Sequence, residues 1–530
     1  MASLHFASAL LPTGWAEDVQ VVISNGTITS VSAGVPPTSA DQQHEVAIPG
    51  IASLHSHAFQ RGMAGLAEIS GHATDTFWTW RETMYRFALS MRPEDVEAVA
   101  TQLYVEMLER GFTRVGEFHY LHHERDGTPY ADVAEMAGRI AAAAQASGIG
   151  LTLLPSFYAH GGFGGAAPHD GQRRFICDVD QFAKLLTASR KAISSLPGAN
   201  LGIAPHSLRA VAPDELAALL PLADGGPVHI HAAEQVKEVE DCLAWSGRRP
   251  VQWLLDHYAI DARWCLIHAT HMTADETAAL ARSGATAGLC PVTEASLGDG
   301  IFPARDYLRA GGHIGVGTDS NVLVGVSDEL RQLEYGQRLT HRERNVLTSG
   351  PDASTGRTLF DAALAGGTQA LAQSVAGLQV GGRADIVTLD LSHPSLAGRT
   401  QDALLDGWIF ATSTTPSTVS GPAAPRSSGA GIIVRGRQPG EASTRPCGGC
   451  SHEPRRDQHQ AGHRHALQDD PSGYRAPHPD RRVAAGPSHP VRARDHGALR
   501  LLAHDSQQGI VGARPGRPDR APSARRQLRE

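Results

Sequence analysis

Residues 19–34, VQVVISNGTITSVSAG, alternate apolar and polar side chains on either side of Asn25-Gly26. That alternation predicts two antiparallel strands joined by a tight hairpin, since Asn-Gly readily takes the positive φ the turn requires. Residues 6–48 as a whole read as short strands. From Pro49 to about Leu364 the pattern changes, and short, nearly continuous apolar runs each precede a longer helical segment. The runs are 48–54, 114–120, 150–158, 201–207, 227–234, 265–271, 286–291 and 312–320. Strands buried on both faces read this way, so eight β-then-α repeats predict an α/β chain folded as a (β/α)8 TIM-like barrel. Chemistry in such a barrel sits at the C-terminal ends of the strands. GGRADIVTLD (381–390) returns to strand character and is expected to rejoin the N-terminal strands. The expected organisation is a small β-sandwich domain from residues 1–48 and 366–412, apparently incomplete, around a barrel at 49–365, with a tail at 413–530.

Composition changes the picture at one place. The 530 residues are 41% hydrophobic and 19% charged with a net charge of -8, which suits a globular chain. No apolar run is long enough to span a bilayer, and MASLHFASALLPTGWAEDV lacks the basic region of a secretory signal. Six scattered cysteines do not suggest a disulfide framework, so a reducing cytoplasm is expected. From Pro416 onward, however, the chain holds 14 of the 32 prolines, 19 arginines, no lysine and one aromatic residue, Tyr474. Those residues carry 19 basic and 10 acidic groups, against 28 and 45 in residues 1–415. A GC-rich gene read out of frame yields such a composition, and a frameshift near 411–415 is the expectation. The tail is then disordered and without function. A nucleic-acid role is disfavoured because acids are mixed through it, and CGGC (447–450) lacks the second pair a zinc site needs.

Candidate chemistry gathers where the predicted strands end. LHSHAFQRGMAG (54–65) places His55 and His57 two apart, on one side of a strand. His229 and His231 share a face on VHIHAAE; His268 and His271 end LIHATH; Asp319 ends GVGTDS. A histidine alone is as a rule a surface or satisfied core residue, and the chain has 27. Imidazoles and a carboxylate at the ends of strands one, five, six and eight are a poorer fit to chance. Nitrogen ligands plus one carboxylate suit Zn2+ or Fe2+ with a position left for water.

This arrangement resembles the amidohydrolase superfamily, in its mononuclear aminohydrolase branch. The resemblance implies a metal held by His55, His57, His231 and Asp319, with Glu234, His268 and Asp319 in catalysis. Strand period alone leaves His229 and His231 equivalent; the spacing to Glu234 in the family pattern selects His231. None of Lys184, Lys191 and Lys237 stands at a suitable strand end, so one metal is implied, Zn2+ first and Fe2+ second. Residues 3–412 further resemble the formimidoylglutamate deiminases, through LHSHAFQRGMAGLAE, EFHYLHHE, APHSLRAV, HIHAAEQ, LIHATHMT, CPVTEASLGDG and GTDSNV. That resemblance implies hydrolysis of N-formimino-L-glutamate to N-formyl-L-glutamate and ammonia, within histidine degradation. It implies substrate contacts from Gln60, Arg81, Tyr120, His206 and Arg209. Arg81 competes with Arg86 and Arg92 on one helical segment. A homodimer without nucleic-acid or membrane partners is also implied. The rival readings are another mononuclear aminohydrolase, acting on a nucleobase or guanidino compound, and a remnant impaired by its altered C-terminus.

Overall fold

In the computed structural model of the chain, residues 1–70 and 74–412 are described in full, and 417–421 and 432–435 by their backbone. The expected frameshifted, disordered tail otherwise lies outside the described residues. Four strands open the chain: β1 (Ala2–Leu11), β2 (Gly14–Ser24), β3 (Thr27–Ser32) and β4 (Gln42–Pro49). Asn25 and Gly26 both take positive φ, 49° and 78°, which turns β2 into β3. The barrel follows with β5 (Ile51–Ser56), β6 (Phe112–His119) and β7 (Gly150–Phe157). The fourth position is split into β8 (Asn200–Leu201) and β9 (Ala204–Pro205). Then come β10 (Val228–Ala232), β11 (Trp264–His268), β12 (Thr286–Leu289) and β13 (His313–Val316). The last strands are β14 (Ile386–Leu389), β15 (Ser417–Gly421) and β16 (Ile432–Arg435).

The barrel strands run parallel in sequence order, and every residue of β6, β7, β10, β11 and β12 is buried. Isolated parallel bridges join the two halves, Ile203 to Val228 and Ser207 to His231, and Ser56 to Asp319 closes the ring. Closure is tight at this seam: the Thr318 and Asp319 amides both donate to His55 O at 3.0 Å. A Cβ on Gly317 would lie 2.7 Å from His55 O, so only glycine lets strand eight approach strand one here.

The flanking strands form one seven-stranded sheet in the order β16-β15-β14-β4-β1-β2-β3. As the 381–390 run suggests, β14 pairs antiparallel with β4, Ile386 opposite Pro49. The expected end at Thr412 is not the end of the sheet: β15 pairs with β14 and β16 with β15. Their backbones occupy the edge that an end at Thr412 would have left open. Among the described residues no helix is long and apolar enough to cross a membrane.

Candidate metal centre and active site

His55, the fifth residue of β5, points into the barrel and is fully buried. His57 follows the strand, and its Nδ1 lies 2.8 Å from Phe118 O. His231 on β10 makes the same kind of contact, Nδ1 to His206 O at 2.8 Å. A backbone carbonyl accepts only from an N–H, so both rings carry the proton on Nδ1 and turn a bare Nε2 inward. His55 Nε2 and His231 Nε2 are 3.1 Å apart. Asp319 Oδ1 lies 3.4 Å from both His55 Nε2 and His57 Nε2. Phe118 packs beneath, its ring 4.5 Å from that of His231. Three imidazole nitrogens and a carboxylate oxygen converging in a buried place fit a divalent cation. Burial lowers the proton affinity of all three imidazoles, His55 to about 3, which keeps them in the ligating form. Burial alone would raise Asp319, but His55, His57 and His268 hold it well below the usual carboxylate range.

The structure separates the two histidines of β10. His229 points to the other end of the barrel, its Nε2 2.8 Å from Ala370 O, and takes no part in the cluster. His271 is also elsewhere, with Nε2 2.7 Å from Asp299 O. Cys290, which the sequence did not single out, groups with His268 and Asp319. Burial and then the nearby carboxylates push its thiol up, so it stays protonated. Lys184, Lys191 and Lys237 are all exposed on helices, far from serving as a bridging ligand.

Glu234 stands across the cluster, Oε1 3.7 Å from His268 Nε2. Its other oxygen, Oε2, lies 3.4 Å from Arg209 Nη2. Burial raises Glu234 against the pull of His268 and Arg209, so it can hold or release a proton. His268 is braced by Glu294 Oε1, 3.2 Å from its Nδ1, and its Nε2 is 3.8 Å from Asp319 Oδ2. Burial opposes charge on this ring, but Glu234, Glu294 and Asp319 outweigh it and raise the pKa to about 10. Several of these groups sit on strained backbone, with φ 52° at Ala233, 66° at His268 and 44° at Asp319. Non-glycine residues in that region concentrate at functional sites.

Above the cluster opens a cavity with about 570 Å³ of empty space, part of it continuous with solvent. Gln60, Arg81, Tyr120, His206, Arg209, Glu234, His268 and Asp319 all line it. Gln60 Nε2 donates to Tyr120 Oη at 2.7 Å, leaving Gln60 Oε1 buried without a partner. Arg209 is 8% exposed, and its Nη1 likewise has no partner. Of the three competing arginines only Arg81 reaches the cavity, stacked 4.6 Å from the Trp78 ring with its Nε unpaired. Arg86 and Arg92 are exposed and bond to Thr83 and Asp95. Gly65 turns at φ +79°, whereas Gly62 is glycine because a Cβ would strike the Phe87 ring.

Sequence reasoning missed several contributors. Trp80 and Tyr85 line the cavity from a helix with no strand-end signal, and Tyr158 lines it from the end of the 150–158 run, where its position was a cue. Glu117, its carboxyl raised to about 8 by burial, accepts from the Ala58 amide at 2.7 Å and pins the turn after His57. Its place two residues before His119, inside β6, was the available cue.

Known proteins share this fold. The amidohydrolase family model matches residues 46–421, and the model for formimidoylglutamate deiminase HutF, N-terminal domain, matches residues 1–45. A formimidoylglutamate deiminase of Pseudomonas aeruginosa is 53% identical over 413 residues, 78% of this chain and 91% of its own. A crystal structure of an amidohydrolase from Brucella melitensis is 58% identical, with a TM-score of 0.77 over 80% of this chain and 94% of that one. An adenosine deaminase from Xanthomonas campestris, solved with zinc bound, shares the fold at 22% identity and a TM-score of 0.66, over 80% and 92% of the two chains. A family match across the barrel and its flanking sheet, together with relatives more than half identical, places the chain in the amidohydrolase family.

Proposed function

We propose that the chain hydrolyses N-formimino-L-glutamate to N-formyl-L-glutamate and ammonia, a step of histidine degradation. The observation that carries this reading is Arg209, a buried guanidinium with Nη1 unpartnered, in the cavity that also holds Glu234 and the histidine cluster. The same hydrolysis is what the name of the Pseudomonas aeruginosa relative describes.

His55, His57, His231 and Asp319 would hold one divalent metal, Zn2+ first, with Fe2+ suiting the same donors. Bound there, the metal supplies Lewis acidity that makes water a nucleophile at neutral pH. Arg209 and Arg81 offer guanidinium forks to the two carboxylates of the substrate, with Arg81 held by stacking on Trp78. Gln60, Tyr120 and His206 line the space between these arginines and the cluster, where the formimino group would lie. Holding both carboxylates fixes that carbon beside Glu234, an orientation effect. As the C–O bond forms, His268 and Asp319 stand beside the attacking oxygen, and Glu234 takes its proton. Glu234 gives that proton to the imino nitrogen. As the C–N bond breaks and the C=O forms, the hydroxyl's remaining proton, accepted by Asp319, passes by way of Glu234 to the same nitrogen, which departs as ammonia. Arg209 links the two tasks, because a substrate carboxylate on its free Nη1 draws on the guanidinium that Glu234 also touches.

A cytoplasmic homodimer without nucleic-acid or membrane partners belongs to the same reading, and light scattering of the purified chain tests the dimer. The decisive assay is ammonia release from N-formimino-L-glutamate by the zinc-supplemented full-length chain, with the product identified by mass. Release with N-formyl-L-glutamate formed is expected. Soluble, metal-loaded protein that releases none, yet deaminates a nucleoside, would sink the proposal.

A further inference from the structure

A second cavity opens at the other end of the barrel, where the strands begin. It holds about 540 Å³ of empty space, part of it continuous with solvent, and shares no lining residue with the first. Arg114, Arg383 and Asp385 are the charged side chains in its wall, beside Thr113 and Ser374. Arg114, near the start of β6, is only 5% exposed, and its Nη1 donates to Gly198 O at 3.1 Å. Arg383 Nη2 donates to Gly148 O at 2.7 Å. Its Nε lies 3.2 Å from Asp385 Oδ1, yet neither atom has a well-directed hydrogen bond.

The two guanidiniums crowd over one glycine. A Cβ on Gly150 would strike Arg383 Nη1 and lie 3.0 Å from Arg114 Cζ. Two cations, largely out of water and facing one carboxylate, leave a positive charge without a counterion, which is costly in a low-dielectric place. Burial, and then the neighbouring Arg383, lower Arg114 to about 10 although Asp385 opposes them. An anion between the arginines would remove that cost. Guanidinium forks match the geometry of oxyanions, and the Thr113 and Ser374 hydroxyls could add donors.

We propose that this cavity at the floor of the barrel is an oxyanion site, in which Arg114 and Arg383 together bind a small phosphate or carboxylate anion. The anion would tie the start of β6 to the segment that enters β14. The floor of such barrels serves stability more often than chemistry, and the site is assigned that role.

The test is the thermal midpoint of the metal-loaded full-length chain at constant ionic strength, with sodium chloride replaced stepwise by inorganic phosphate or by acetate. A ligand that binds only the folded state raises the midpoint with the logarithm of its concentration. Wild type should rise in at least one oxyanion, and the arm that rises identifies phosphate or carboxylate as the class bound. R383Q should lose the rise while keeping its kcat. D385N, which removes the competing carboxylate, should reach the same rise at several-fold lower anion concentration. A purely structural ion-pair cluster would not give these opposite signs. Equal rises in wild type and R383Q, or no rise in wild type at 100 mM of either anion, would overturn the proposal. If R383Q does not fold, D385N decides alone: an unchanged or weaker response rejects the site.

Discussion

Glu234 is the residue on which the proposed chemistry turns. Replacing it with Gln keeps the shape and the contact with Arg209 but removes the proton carrier. Turnover of E234Q should fall by about 10²–10⁴-fold while metal content, measured by elemental analysis, stays at the wild-type value. Activity within tenfold of wild type would reassign the acid. Arg209 predicts a different signature. A lysine there keeps the charge and loses the planar fork, so R209K should raise KM for N-formimino-L-glutamate about tenfold or more. R86K, altering an exposed arginine, should leave KM alone, and steady-state kinetics on the pair separates the two. At this scale the sequence was most legible for groups marked by their place at strand ends, namely His55, His57, His268 and Asp319. It could not separate His229 from His231, because both share a strand face and only depth in the barrel distinguishes them. Tyr85 and Glu294 reach the site from helices, where no local pattern marks a residue aimed at a distant metal.

Elements make the site by meeting at fixed depths. The seam between strands one and eight depends on Gly317, where an added methyl would meet the backbone and Cβ of His55 at 2.7–2.9 Å. G317A should therefore cost about 1–3 kcal/mol of stability and weaken metal retention, read by denaturant unfolding and metal analysis. Wild-type stability in this variant would show that the seam has slack. In the small sheet, Asp41 accepts from Ser3, from the Thr38 amide and hydroxyl, and from Gln20. The Ser3 and Thr38 bonds hold its carboxyl below the ordinary value of 3.8. A depressed pKa means the unfolded chain binds the proton more readily, so this stabilisation is present above about pH 4 and fades as pH falls further. D41N should be less stable than wild type at pH 7, with the gap closing in acid; a gap independent of pH would deny the carboxylate its part. Alternation and β/α periodicity announced most of these elements, but strand four appeared as one run and is two short pieces. Gly202 and Pro205 within it do not sustain a continuous ladder.

The whole molecule joins a barrel to a sheet built from both ends of the described chain. All proposed site residues lie between positions 55 and 319, within a unit that spans Met1–Ser443. Truncation after Ser443 should leave kcat and KM unchanged, whereas truncation after Thr412 should lower solubility by removing β15 and β16 from the edge of β14. Loss of activity in the longer truncation would give the tail a role that the sequence denies it. Chelation followed by dialysis should abolish turnover and lower the thermal midpoint, and one equivalent of Zn2+ should restore both. The sequence by itself determined the barrel and most of the proposed ligand set, because periodicity and residue type at strand ends are local properties of the chain. Which histidine faces the cluster, which arginine reaches the cavity and where two arginines share a single carboxylate were decided only by tertiary structure. Those outcomes depend on depth, on distance between segments far apart in sequence, and on the charge left over when they pack.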